Sequence, residues 1–252
     1  LVDHAGETST EKLVFDHYTV PVVAAQDHLL VTLRKDGEKL LYSRKLGEEM
    51  LEKTLLARDG QLLFNPVEPI NKPKEISPFL LVEFEQALLV QAKETVEIMV
   101  TFPVEIASIF VNGDQSMTVL DVFCLTAPRY TLYGSPITGM ICRYWKSPVY
   151  LEPPAVAPYR EGILEVSIQN ATNRWIEVHK AVFSAHDMKI YYDLQQVAMR
   201  GYMRILSVNV AETGFTGESP SRTGFQAKKA VELLSSRKHL VVGPRLLMEE
   251  GL

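Results

Sequence analysis

Short runs of alternating apolar and polar residues, each cut off by Gly, Pro, Asn or Asp, constrain this chain more than any other feature. Along Gly162–Gln169, Ile163, Glu165, Ser167 and Gln169 fall on one side and Leu164, Val166 and Ile168 on the other. Val96, Ile98 and Val100 repeat the pattern. Successive side chains of a strand point to opposite faces, so this period suits a half-buried strand. Similar runs occur at His28–Leu33, Lys39–Tyr42, Val104–Val111, Met140–Trp145, Trp175–Phe183 and Val197–Val208. Regular spacing of such runs predicts a mainly β protein made of two β-sandwich-like halves.

Turn residues mark the connections. Asp36-Gly37 between two runs predicts a hairpin, and Asp59-Gly60 predicts a second one joining Lys53–Ala57 to Gln61–Asn65. Asn112-Gly113 closes another run. Prolines at 66, 69, 73 and 78 predict a long crossing loop, because proline cannot feed a sheet ladder. The proline-dense stretch 153–158 predicts a linker, dividing the chain into an N-terminal β domain over 1–152 and a second domain over 159–252. After the Gly/Ser/Thr-rich loop 214–224, Thr223 and Gln226 stand at capping-box spacing. Ala227, Ala230, Val231 and Leu234 then predict a short C-terminal helix ending before Val241.

Composition narrows the function classes. With 252 residues and 46% hydrophobic content the chain has material for a real core. A net charge of −5 argues against a nucleic-acid binder. Residues 1–169 hold 15 Lys and Arg against 23 Asp and Glu, while residues 170–252 hold 11 against 8. A solvated surface accounts for so mild an asymmetry. Two cysteines, Cys124 and Cys142, are too few for a disulfide scaffold and point to a reducing cytoplasm. No apolar run has membrane-spanning length, and no signal segment is expected.

Familiar chemistry is not spelled out. No two of the six histidines have metal-ligand spacing, and His186-Asp187 with Asp193 reads as a turn, so no metal or cofactor is expected. There is no Gly-x-Ser-x-Gly elbow and no phosphate loop. Glu83 and Glu85 share a strand face and could sit in a cleft as paired carboxylates, though an ordinary solvent face is the favoured reading. Asn170-Ala171-Thr172 matches a glycosylation sequon and reads as a turn.

One stretch departs from chance. The thirty residues from Val122 to Leu151 contain no Asp or Glu, where the chain's 31 among 252 would give three or four. Arg129, Tyr130, Tyr133, Arg143 and Trp145 fall here, with Tyr144 and Lys146, and they are the candidate ligand-binding residues. Aromatic faces beside guanidinium groups suit sugars and anions. A buried pair of central strands would also exclude carboxylates. On one strand, Arg143 and Trp145 share a face opposite Tyr144 and Lys146. An inward Arg143 would mark a buried polar network or a site.

The strings Asp121-Val-Phe-Cys-Leu125, Tyr130-Thr-Leu-Tyr-Gly134 and Cys142-Arg-Tyr-Trp-Lys146 resemble an archaeal family catalogued as domain of unknown function 432. Pro66–Pro73, Thr101–Ile106 and Met188–Tyr192 add to the resemblance, which runs from about Leu30 to Leu252. It implies an archaeal, cytoplasmic protein and carries no activity or site residues. The expected function is therefore a soluble binding or interaction protein. The alternatives are an enzyme acting on a polar or anionic small molecule such as a sugar, and a regulatory partner domain using its C-terminal helix. No nucleic-acid or membrane partner is expected.

Overall fold

The computed structural model describes residues 9–69, 77–221, 224, 227–233 and 246–252. Strand is the dominant regular structure and no α-helix occurs among these residues. Contacts gather the chain into two compact units, one of residues 1–65 with 106–125 and one of residues 66–105 with 126–252.

The first unit has two sheets. One takes the order β1 (Thr10–Lys12), β3 (Val22–Gln26), β4 (Leu29–Asp36), β5 (Lys39–Leu46), β6 (Glu49–Leu55). The other begins with β2 (His17–Thr19) and β7 (Gly60–Val67). The chain leaves for the second unit through β8 (Phe79–Val90) and β9 (Thr95–Pro103), then returns with β10 (Glu105–Asn112) and β11 (Met117–Phe123) to complete the order β11-β10-β7-β2. Alternation sets the inner face: Leu29, Val31 and Leu33 of β4, with Leu40 and Tyr42 of β5, are buried. The Tyr42 hydroxyl donates to Ser108 Oγ at 3.0 Å, linking the two sheets.

The Asp36-Gly37 hairpin forms as expected, with Asp36 opposite Lys39 and Gly37 at φ +62°. The Asp59-Gly60 hairpin does not. Gly47, at φ +60°, turns β6 back onto β5, so β6 and β7 lie in different sheets. Gly60 serves close approach instead, since a Cβ there would meet the Phe110 ring at 2.4 Å.

The second unit also has two sheets. The first runs β12 (Tyr130–Tyr133), β13 (Met140–Ser147), β8, β15 (Ile176–Ser184). The second contains β16 (Tyr191–Tyr192), β17 (Val197–Ile205), β18 (Ala211–Phe215), β19 (Lys228–Lys229), β20 (Leu246–Met248), β9 and β14 (Glu161–Asn170). Thr213 Oγ1 donates to the Val182 carbonyl and ties one sheet to the other.

Two further expectations require correction. The sheets do not divide at residues 153–158, because β14 beyond the prolines pairs antiparallel with β9 before them through nine register positions. Val156 packs against the buried cluster of Met99, Ile163 and Ala198, so this stretch braces a core rather than linking two. The C-terminal helix is absent from the described part of its range, where Lys228 and Lys229 pair with Tyr192 and Tyr191. Thr223, Gln226, Leu234 and Val241 lie outside the described residues, as do most of the prolines' crossing loop, 70–76.

Candidate ligand site

Parity along β13 decides what its side chains can do. β12 pairs with β13 only from Tyr133↔Met140 to Tyr130↔Arg143, and Tyr144 N–H then reaches the Arg129 carbonyl at 2.9 Å. On its other side β13 pairs with β8 from Arg143 to Ser147. Beyond Tyr144, among the described residues, no strand covers the edge that β12 has left. A cavity of about 280 Å³ opens there, lined by Arg129, Arg143, Tyr144, Trp145, Lys146 and Glu161.

Arg143 turns inward and is 1% exposed. Its Nη1 lies 3.6 Å from Glu105 Oε1, on a carboxylate that is itself fully buried, and its guanidinium sits 5.7 Å over the Tyr130 ring. Buried charges persist only when paired, so Glu105 holds Arg143 in place as much as it neutralises it. Trp145 is half-buried, and its Nε1–H donates to Thr101 Oγ1 at 2.9 Å. Thr101 Oγ1 donates in turn to Ser147 Oγ at 3.2 Å, and Ser147 Oγ also accepts Thr101 N–H at 2.8 Å. The indole is thereby fixed from behind.

On the opposite face the Tyr144 hydroxyl donates to Glu83 Oε2 at 3.2 Å, and Lys146 Nζ stands 3.9 Å from Glu83 Oε1. Burial and the Glu83 carboxylate push the Tyr144 phenol above its ordinary value, with Arg129 pulling the other way. The Arg129 side chain is exposed and has no hydrogen bond or ion pair among the described residues.

The five candidate residues thus separate. Arg129, Arg143 and Trp145 line one cavity. Tyr130 carries Arg143 on its ring. Tyr133 serves the fold: its hydroxyl accepts Glu250 N–H and donates to the Gly251 carbonyl, both at 3.1 Å, while Lys180 lies over its ring. Glu83 joins the surroundings of the site, whereas Glu85 is exposed. Glu161, which sequence reasoning missed, closes the cavity from the turn after the prolines. Its signal was the resumption of strand pattern right behind Pro158.

Other features resolve as structure. Burial pushes the Cys142 thiol up to about 12, and both cysteines are unbridged. Asn170 is fully buried, with Nδ2 donating to the Val90 and Arg174 carbonyls, so its sequon is a turn brace. Asp193 Oδ1 accepts Gln195 and Gln196 N–H in a turn of its own. Among the described residues no three or more His, Cys, Asp or Glu side chains gather as a metal-binding group. No helix among them is long and apolar enough to cross a membrane.

The larger hollow, about 630 Å³, lies on the first unit's outer face over β4, β5 and β6. Its lining mixes Arg34 with Glu52 and contains Leu41 and Met50, and its Thr32 and Ser43 hydroxyls bond to each other at 2.8 Å. It is larger than the cavity at β13, and among the described residues its Arg34 and Glu52 form no ion pair with each other.

Comparison with known protein families matches residues 14–249 to a family described as a protein of unknown function, domain of unknown function 432. The chain belongs to that family. The match covers both units. No curated protein and no solved structure matches the chain. Family membership assigns no chemistry here, so function rests on the site.

Proposed function

We propose that this member of the family is a non-catalytic binding protein whose second unit holds a small polar or anionic ligand in the cavity at the open edge of β13. Arg129 is the observation that carries the reading. A guanidinium lines a cavity beside a fixed indole and has no partner among the described residues. Structural arginines are normally answered by a carboxylate or carbonyl, as Arg143 is by Glu105. The enzyme alternative is less well supported, because Tyr144 and Arg143 are already engaged with Glu83 and Glu105 rather than poised for proton transfer. The partner-domain alternative relied on a C-terminal helix, and none occurs among the described residues of its range. A cytoplasmic, archaeal setting belongs to the same reading, in keeping with two unbridged cysteines.

A thermal-shift screen of sugars, nucleotides and small anions tests it, since a ligand that binds only the native state raises its stability. Anionic compounds should raise the melting temperature of the wild type, and Arg129→Ala should abolish the rise. No shift with any compound, or a shift unchanged in Arg129→Ala, would contradict the proposal.

A further inference from the structure

We infer that the ligand is a single-ring polyol carrying one anionic group, a sugar phosphate or a sugar acid. The inference rests on the cavity being the ligand site and adds the class of molecule it takes.

Size sets the first bound. A volume of 280 Å³ corresponds to about nine water molecules at about 30 Å³ each, enough for one ring and its substituent and too little for a dinucleotide. Charge sets the second. Arg129 supplies an unpartnered cation, and Lys146, loosely paired with Glu83 at 3.9 Å, adds a second from a different segment; neither is buried. A guanidinium with no competing partner is suited to a forked contact with carboxylate or phosphate oxygens.

Glu161 sets the third bound, because it gives the cavity a negative end. Its carboxylate is held in place by its own turn. Ala157 N–H donates to Glu161 Oε2 at 3.4 Å, while Glu161 N–H and Arg160 N–H both donate to the Ala157 carbonyl, at 3.0 and 3.1 Å. Tyr159, within the same turn, is buried at 1% exposure. The other carboxylate oxygen of Glu161 carries no hydrogen bond among the described residues and is an acceptor for a hydroxyl. A second anionic group at that end would be repelled. The groups on the two faces of β13 that could compete are engaged: Tyr144 with Glu83, and Trp145 through its only donor with Thr101. Trp145 therefore has only ring surface to offer, which suits the C–H face of a sugar.

Isothermal titration calorimetry with glucose 6-phosphate, glucuronate, glucose and inorganic phosphate tests the inference on the wild type, Arg129→Ala and Glu161→Gln. Circular dichroism checks that each variant is folded. One of the two anionic sugars should bind at least about tenfold more tightly than glucose or phosphate. Arg129→Ala should weaken it about 10- to 100-fold, the range expected for one charged hydrogen-bonding contact. Glu161→Gln should remove most of its advantage over phosphate. Phosphate binding as tightly as either anionic sugar, weakened by Arg129→Ala and untouched by Glu161→Gln, would overturn the sugar and leave the anion site standing. Glucose binding as tightly as the anionic sugars would overturn the anionic requirement. No binding by any probe, or binding insensitive to Arg129→Ala, would overturn the site itself.

Discussion

Among the described residues each unit of this protein buries one arginine against a buried carboxylate, and the two arginines end in different circumstances. In the first unit Arg44, 1% exposed, bonds through Nε to Asp121, reaches Glu49 at 3.1 Å, and lies 5.7 Å over the Phe123 ring. Tyr42 lies alongside, its phenol pushed upward by burial. In the second unit Arg143, equally buried, faces Glu105 and also lines a cavity that holds the unpartnered Arg129. The lesson is that an inward arginine marks a polar network. In the second unit a cation left over beside the network, Arg129, lines the proposed site, and Arg34 of the first unit is the comparison that tests the reading.

The largest effects should come from breaking the two pairs. Asp121→Ala removes the buried carboxylate of Arg44, leaving it the exposed Glu49, and Glu105→Ala removes the buried carboxylate of Arg143; each should cost up to about 3–5 kcal/mol in urea unfolding. If Glu105→Ala costs less than about 1 kcal/mol while Asp121→Ala costs the full amount, the two networks are not equivalent and Arg143 is free to serve a ligand directly.

Arg129→Ala should separate binding from stability. Anion affinity should fall by about 1.5–3 kcal/mol, while unfolding stability should move by no more than about 0.5 kcal/mol, since the side chain is exposed and unpartnered. A matching loss of stability would make Arg129 part of the fold. Tyr133→Phe should do the reverse. Losing the hydroxyl that joins Glu250 and Gly251 should cost about 1 kcal/mol in unfolding and leave affinity unchanged. Arg34→Ala, at the larger hollow of the first unit, should have the smallest effect, about 0.5 kcal/mol or less in stability with no change in affinity. Lost affinity there would move the site to the first unit.

Much of the strand content was legible because alternation is local. β14 and its neighbours announce themselves within eight residues, and Asp36-Gly37 names its own hairpin. Partner choice was not legible. Asp59-Gly60 has hairpin chemistry, yet Gly47 had already returned β6 to β5, and Gly60 is needed where the Phe110 ring comes close. The proline stretch 153–158 looks like a linker from composition, and only the distant β9 shows that it braces a core. The absence of carboxylates over 122–151 had two causes. Tyr133 and Cys142 are core, while Arg129 and Trp145 line the cavity. Glu161, which lines the same cavity, and Glu105, which pairs with Arg143, come from outside that stretch. Arg44 could have been read inward by the same parity that singled out Arg143, following Leu40 and Tyr42 at steps of two.

The chain's two tryptophans provide the most direct measurement. Trp145 lines the cavity with its indole N–H bonded to Thr101, and Trp175 is 59% exposed and is not among the cavity residues. A nitrogen-15 correlation spectrum therefore contains two indole N–H signals, one at the site and one as an internal reference. Titration with whichever anionic sugar binds should move the Trp145 signal progressively to saturation and leave Trp175 in place, with Arg129→Ala shifting the midpoint to about tenfold or more higher ligand concentration. Saturable binding by calorimetry with the Trp145 signal unmoved, or with Trp175 moving instead, would contradict the assignment of the site.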